Sequence, residues 1–166
     1  MCQYTAEMTR QADRRLNVFY AYGEVMWQLQ LLEMTYWTIL SLKKIPESDD
    51  FDQAWERTEG WMKGTLGKLI HLADLPEALD RDSKVVRDMR NNLAHEFLRE
   101  RVMLLDDDDL YDKALEDLSS TLHWIEDLQK DLGNYLREEL NFDPDEEHLT
   151  ENDLKKIFAD VEGEAP

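Results

Sequence analysis

Apolar residues recur along this chain mainly at three- and four-residue steps, the period of helices that bury one side. The first run, Leu16, Phe19, Tyr20, Gly23, Met26, Trp27, Leu31, Met34, Trp37 and Leu42, predicts a long helix from Asp13 to Lys43. Lys43 and Lys44 suit the negative end of that helix, and Pro46 stops it. Ser48, Asp49 and Asp50 offer N-caps for a second helix through Phe51, Trp55 and Met62. Gly60, Gly64 and Gly67 mark a break, with a short helix over Leu66 to Leu72. Pro76 opens a third long helix, Glu77 to Leu104, on the stripe Leu79, Val86, Leu93, Phe97 and Leu104. The run Asp106 to Asp109 is a loop that caps a fourth helix, Leu110 to Leu140. Its stripe is Leu115, Leu118, Leu122, Ile125, Leu128, Leu132 and Leu136, and Asn141 and Pro144 end it. Thr150-Glu-Asn-Asp153 is a capping-box variant that opens a short last helix to Asp160. No stretch carries the period of a strand, and no internal repeat or long linker interrupts the pattern. The expectation is an all-α, up-and-down bundle of four main helices with a short C-terminal helix. Residues 1–141 make the bundle and residues 142–166 an acidic appendix.

Composition adds a compartment and removes several function classes. A chain of 166 residues buries a core without staples. The one cysteine, Cys2, has no internal partner, which suits a reducing, cytoplasmic setting. Glu7, Arg10, Asp13, Arg14 and Arg15 occupy the first fifteen residues, so no signal peptide is expected. The most apolar stretch, Val25 to Leu42, is broken by Gln28, Gln30 and Glu33, and reads as a buried core helix rather than a membrane span. The net charge of −19 argues against broad, nonspecific nucleic-acid binding, which needs a basic face. It fits simple solubility, or, more pointedly, a basic partner or mimicry of nucleic acid.

Several chemistries fail on their residues. A di-iron bundle needs Glu-x-x-His pairs, and none of His71, His95, His123 or His148 has Glu three positions before it. The aspartates at 106–109 resemble half a calcium loop, but Tyr111 stands where the turn glycine is needed. Gly64-Thr-Leu-Gly67-Lys68-Leu69 lacks the glycine spacing and the hydroxyl of a phosphate loop. One cysteine makes no zinc cluster. No metal and no cofactor is expected.

The segment that remains is Arg87-Asp-Met-Arg90-Asn91-Asn92-Leu93-Ala94-His95-Glu96-Phe97-Leu98-Arg99. At about 100° per residue, Asn91 and His95 share a helix face, with Arg87 and Arg99 extending the stripe. Arg90, five before His95, points away from it. A rigid helix does not bring the two together: the helix is distorted, Arg90 reaches round on its long stem, or a second copy completes the site in a symmetric homodimer. His, with an ordinary pKa of about 6.5, takes or gives a proton near neutrality. Arg presents a planar fork to phosphate oxygens. RNA brings its own nucleophile, the 2′-hydroxyl, so metal-free Arg/His chemistry favours an RNA substrate. From Arg81 to Arg101 six cations stand against four anions, a positive island in a negative chain.

Arg90-Asn91 before Leu93-Ala94-His95, with Phe97 following, in an α bundle, resembles the motif of the HEPN superfamily: Arg, a polar residue, three to five more, then His. Gly64-Thr-Leu-Gly-Lys-Leu-Ile70 is similar to a glycine-containing turn of some HEPN branches. The resemblance implies a dimeric bundle and, for many members, metal-independent endoribonuclease activity in toxin–antitoxin or antiviral defence systems. Arg90, Asn91 and His95 fall on its catalytic positions, with Arg87 and Arg99 beside them for RNA. A branch controlled by nucleotidyltransferase antitoxins carries a Tyr two residues after the His, where it is modified. Here the residue is Phe97, which has no hydroxyl, so that control is not expected. Partners implied are a second copy, RNA, and an antitoxin or defence-complex protein, with no membrane. A noncatalytic HEPN interaction module is the alternative, and an acidic nucleic-acid mimic or inhibitor the third. Glu138 to Pro166 carries eleven acids against Lys155 and Lys156, enough to compete with RNA for the basic island.

Overall fold

A computed structural model of the chain describes residues 2–44, 60, 64–97, 99 and 107–144. Among these the fold is an all-α helical bundle without strands. Helix α1 is Cys2–Lys44, α2 is Leu66–Ala73, α3 is Glu77–Asn92 and α4 is Asp108–Glu139; a π-helical turn, Leu93–Phe97, continues α3. The expected helix through Phe51 to Met62, the end of the third helix near Leu104 and the helix from Thr150 to Asp160 lie outside the described residues. No helix among the described residues is long and apolar enough to cross a membrane.

Local chemistry sets the helix ends. Thr65 caps α2 by accepting from the Lys68 N–H, and Asp74 ends it in the left-handed region at φ 46°, which a short polar side chain tolerates. Pro76 supplies the carbonyl that accepts from the Asp80 N–H, opening α3 as expected. The Asp107 carboxylate accepts from the Leu110 N–H at 3.1 Å, so α4 begins two residues before the predicted start. Asn141, left-handed at φ 51°, turns the chain after α4. Phe142 then folds back, buried, and donates its N–H to the Leu136 carbonyl at 3.0 Å.

The chain forms two compact units, one of Met1–Leu31 with Val85–Asp127 and one of Leu32–Lys84 with Leu128–Pro166. In the first unit Arg10 and Arg14 both donate to Asp108, and Asn17 donates to the Tyr111 hydroxyl at 3.2 Å, so α1 and α4 run in the same sense. The Arg14 guanidinium also lies 4.9 Å from the centre of the Tyr111 ring. In the second unit Lys43 donates to the carbonyls of Ala73 and Asp74, and Tyr36 donates to Ser83, so α3 returns antiparallel to α1. Ser83 in turn donates a hydrogen bond to the Leu79 carbonyl. Burial pushes the Tyr36 phenol up to about 12.

Two sequence expectations about α1 change. It begins at Cys2 rather than Asp13: residues 2–12 hold no Gly or Pro, and Arg10 and Arg14 find a distant anchor in Asp108. Its inward face is also different. The buried residues are Val18, Val25, Leu29, Leu32, Tyr36, Ile39 and Leu40, whereas Leu16, Phe19, Tyr20, Trp27 and Met34 of the predicted stripe are exposed. The helix carries two apolar stripes, and periodicity does not say which one faces inward. In α4 there is one stripe, and Leu118, Ile125, Leu128, Leu132 and Leu136 are buried as expected.

Candidate functional site

The motif segment leaves the α-helical path where its chemistry is concentrated. α3 ends at Asn92, and Leu93 to Phe97 form one π turn. In such a turn hydrogen bonds run i→i+5, and single π turns inside helices are frequent at functional sites. Leu93 and Phe97 are the buried members. Phe97 stacks on Tyr22 of α1 with ring centres 5.8 Å apart and planes 14° from parallel. That anchor turns Ala94, His95 and Glu96 towards solvent. The Asn92 amide donates to Glu96 at 3.2 Å along the outer side of the turn.

The predicted residues separate into two groups. Asn91 and His95 are both exposed, in keeping with the shared face their four-residue spacing gives. Arg90 and Arg87 are half-buried, and Arg99 is exposed. Of the three routes left open by the sequence, distortion of the helix is present. A π turn advances less per residue than the about 100° of an α-helix, so it narrows the separation of about 140° between positions 90 and 95 without closing it.

Three cations of the positive island, Arg81, Lys84 and Arg87, pair with carboxylates of their own helix. Arg87 donates to Asp88 through both Nε, at 2.9 Å, and Nη2, at 2.8 Å. Arg81 pairs with Asp82 at 3.0 Å and Lys84 with Asp80 at 2.6 Å. Arg90 and Arg99 are engaged in further contacts. Exposed pairs of this kind contribute little to stability, but each occupies a guanidinium or ammonium that a phosphate would need.

Beside the motif, in the same unit, lies an open cleft of about 440 Å³ between α3 with its π turn and α4. Asp88, Met89, Asn92, Leu93 and Phe97 line it from one side, and Asp117, Ser120 and Thr121 from the other. Its charged groups are the two carboxylates. Neither this wall of α4 nor the Tyr22 anchor was apparent from the sequence: their partners lie 20 to 75 positions away, and no local pattern links them. Among the described residues no group of three His, Cys, Asp or Glu side chains gathers as a metal site. A scan against models of known protein families, a search of curated proteins and a search of solved structures each returned no match to this chain.

Proposed function

We propose that this chain is a metal-independent endoribonuclease of the HEPN type, working in the cytoplasm as a toxin or defence effector. The observation that carries the reading is the π turn: it interrupts α3 at the motif and holds His95 out on an anchored, exposed surface next to Asn91. In the proposed reaction neutral His95 takes the proton from an RNA 2′-hydroxyl. The 2′-oxygen forms its bond to phosphorus, the bond to the 5′-oxygen breaks, and that leaving oxygen takes a proton from a water whose hydroxide recovers the proton held by His95. The products are a 2′,3′-cyclic phosphate and a 5′-hydroxyl. Arg90 reaches along the helix, over a rise of at most about 7.5 Å, to hold the non-bridging oxygens where charge accumulates. Asn91 positions the substrate or His95, and Arg87 and Arg99 meet flanking phosphates, Arg87 by exchanging Asp88 for phosphate.

The test is cleavage of RNA by the purified chain in EDTA, alone and with any partner protein that copurifies. Wild type should cleave, and the Arg90→Ala/His95→Ala double variant should lose at least about a hundredfold in rate. Equal, intact RNA in both samples refutes the enzyme. The second reading, a noncatalytic interaction module of a defence or regulatory complex, is favoured by the aspartates that hold Arg81, Lys84 and Arg87 and by the carboxylates of the adjoining cleft. It expects His95→Ala to be silent in cells.

A further inference from the structure

The cleft between the π turn and α4 offers a ligand mostly acceptors. Its charged lining groups are the carboxylates of Asp88 and Asp117, with no cation among them. Arg87 donates twice to Oδ1 of Asp88, and Oδ2 has no partner among the described residues. Thr121 is only 7 % exposed. Its hydroxyl proton is committed to the Asp117 carbonyl at 2.8 Å, so what it presents to the cleft is the lone pairs of Oγ1. Asn92 has tied its amide nitrogen to Glu96 and keeps its carbonyl oxygen as an acceptor. Ser120 adds an exposed hydroxyl. Among these polar groups Met89, Leu93 and Phe97 supply apolar surface. A buried hydroxyl with unused lone pairs, beside two carboxylates, is satisfied by donors brought from outside.

We propose that this cleft binds a small alkylguanidinium compound, its planar head on the acceptors and its stem on Met89 and Leu93. The inference rests on the cleft and stands apart from the ribonuclease reading.

Charge excludes the anions. Two carboxylates without a cation repel phosphate and carboxylate ligands, nucleotides included. The number of acceptors then separates guanidinium from ammonium. The carboxylates of Asp88 and Asp117 and the oxygens of Asn92, Ser120 and Thr121 make five accepting groups. An ammonium brings three donors, whereas a guanidinium brings five in a rigid fork that matches a carboxylate with two parallel bonds.

The apolar surface points the same way. A guanidinium is more weakly hydrated than an ammonium, and its methylene stem covers apolar side chains while the head stays polar. Size selects a free molecule. The cleft of about 440 Å³ falls within the roughly 300–1,000 Å³ of small-molecule sites, whereas a protein partner spreads over roughly 800 Å² of surface.

The experiment is a titration of the full chain with butylguanidinium chloride at constant ionic strength, followed by amide NMR shifts with no RNA present. The shifts should saturate at one site per chain with a midpoint on the order of millimolar, and should centre on residues 88–97 and 117–121. Asp117→Asn keeps the size and removes the charge, and should weaken binding at least about fivefold. Thr121→Val keeps the shape and removes the lone pairs, and should weaken it about threefold. Helix content, read by circular dichroism, should be unchanged in both. Butylammonium, with the same stem, should bind at least about threefold more weakly. Shifts that do not saturate by about 50 mM overturn the proposal. So does a midpoint that is the same in wild type and both variants, and so does butylammonium binding as well as butylguanidinium. Binding of acetyl-Gly-Arg-Gly-amide without binding of butylguanidinium also overturns it, and would assign the cleft to an arginine of a protein partner. Cleavage of RNA is not read here, so failure of this proposal and failure of the ribonuclease reading are separate results.

Discussion

Replacing Phe97 by leucine isolates what the ring does for the π turn. Phe97 is 4 % exposed, and its ring stacks on Tyr22 at 5.8 Å and 14°. Leucine keeps the position apolar and of similar bulk, so the shape change costs less than about 1.5 kcal/mol. Loss of the ring pair adds about 0.5–1.5 kcal/mol. The sum, about 1–3 kcal/mol, sits below the total stability of about 5–15 kcal/mol expected for a domain. Even at the low end of that range, about 95 % or more of the molecules remain folded. A fall in RNA cleavage larger than a few per cent therefore reports on the turn and not on unfolding. Urea unfolding gives the stability term, and a double-mutant cycle with Tyr22→Leu gives the pair term, expected at about 0.5–1.5 kcal/mol. Hydrogen exchange at the amides of Leu93 to Phe97 should accelerate in Phe97→Leu while the middle of α4 stays protected. A coupling within a few tenths of zero, with unchanged exchange in the turn, would show that the Tyr22–Phe97 stack does not hold it.

Two more outcomes follow from the titrating groups. The Tyr36 phenol is raised by burial to about 12 from its ordinary value near 10, so the unfolded chain loses that proton first: the stabilisation is whole below pH 10 and drains away towards pH 12, by about 2–3 kcal/mol. Tyr36→Phe should flatten this alkaline fall in a melting-temperature series, and a fall of equal size in the variant would rule the phenol out. The Asp108 carboxyl is held below its usual range by hydrogen bonds from Arg14 and then Arg10, so its contribution is present above the ordinary carboxylate pKa and is lost as pH drops through the lowered one. In Arg14→Ala its midpoint, followed by NMR, should move back up, and an unmoved midpoint would mean that Arg14 does not hold it in solution.

What could be read from the sequence depended on how local its cause was. The starts of α3 and α4 and the end of α4 were legible because Pro76, the aspartates before Leu110 and Asn141 act within a few residues. The core stripe of α4 was legible because that helix has one apolar face. α1 has two, and the stripe rich in large aromatics is the exposed one. Its early start depends on Arg10 meeting an aspartate 98 positions away, beyond any local window. At the candidate site, the face that Asn91 and His95 share followed from spacing, and the structure adds that both are exposed. The π turn did not: no breaker stands between Arg90 and Phe97, and the turn goes with the burial of both Leu93 and Phe97. Nor did the pairing of Arg81 with Asp82 and of Arg87 with Asp88, because adjacent residues do not face each other along a regular helix and pair here only through long arginine stems.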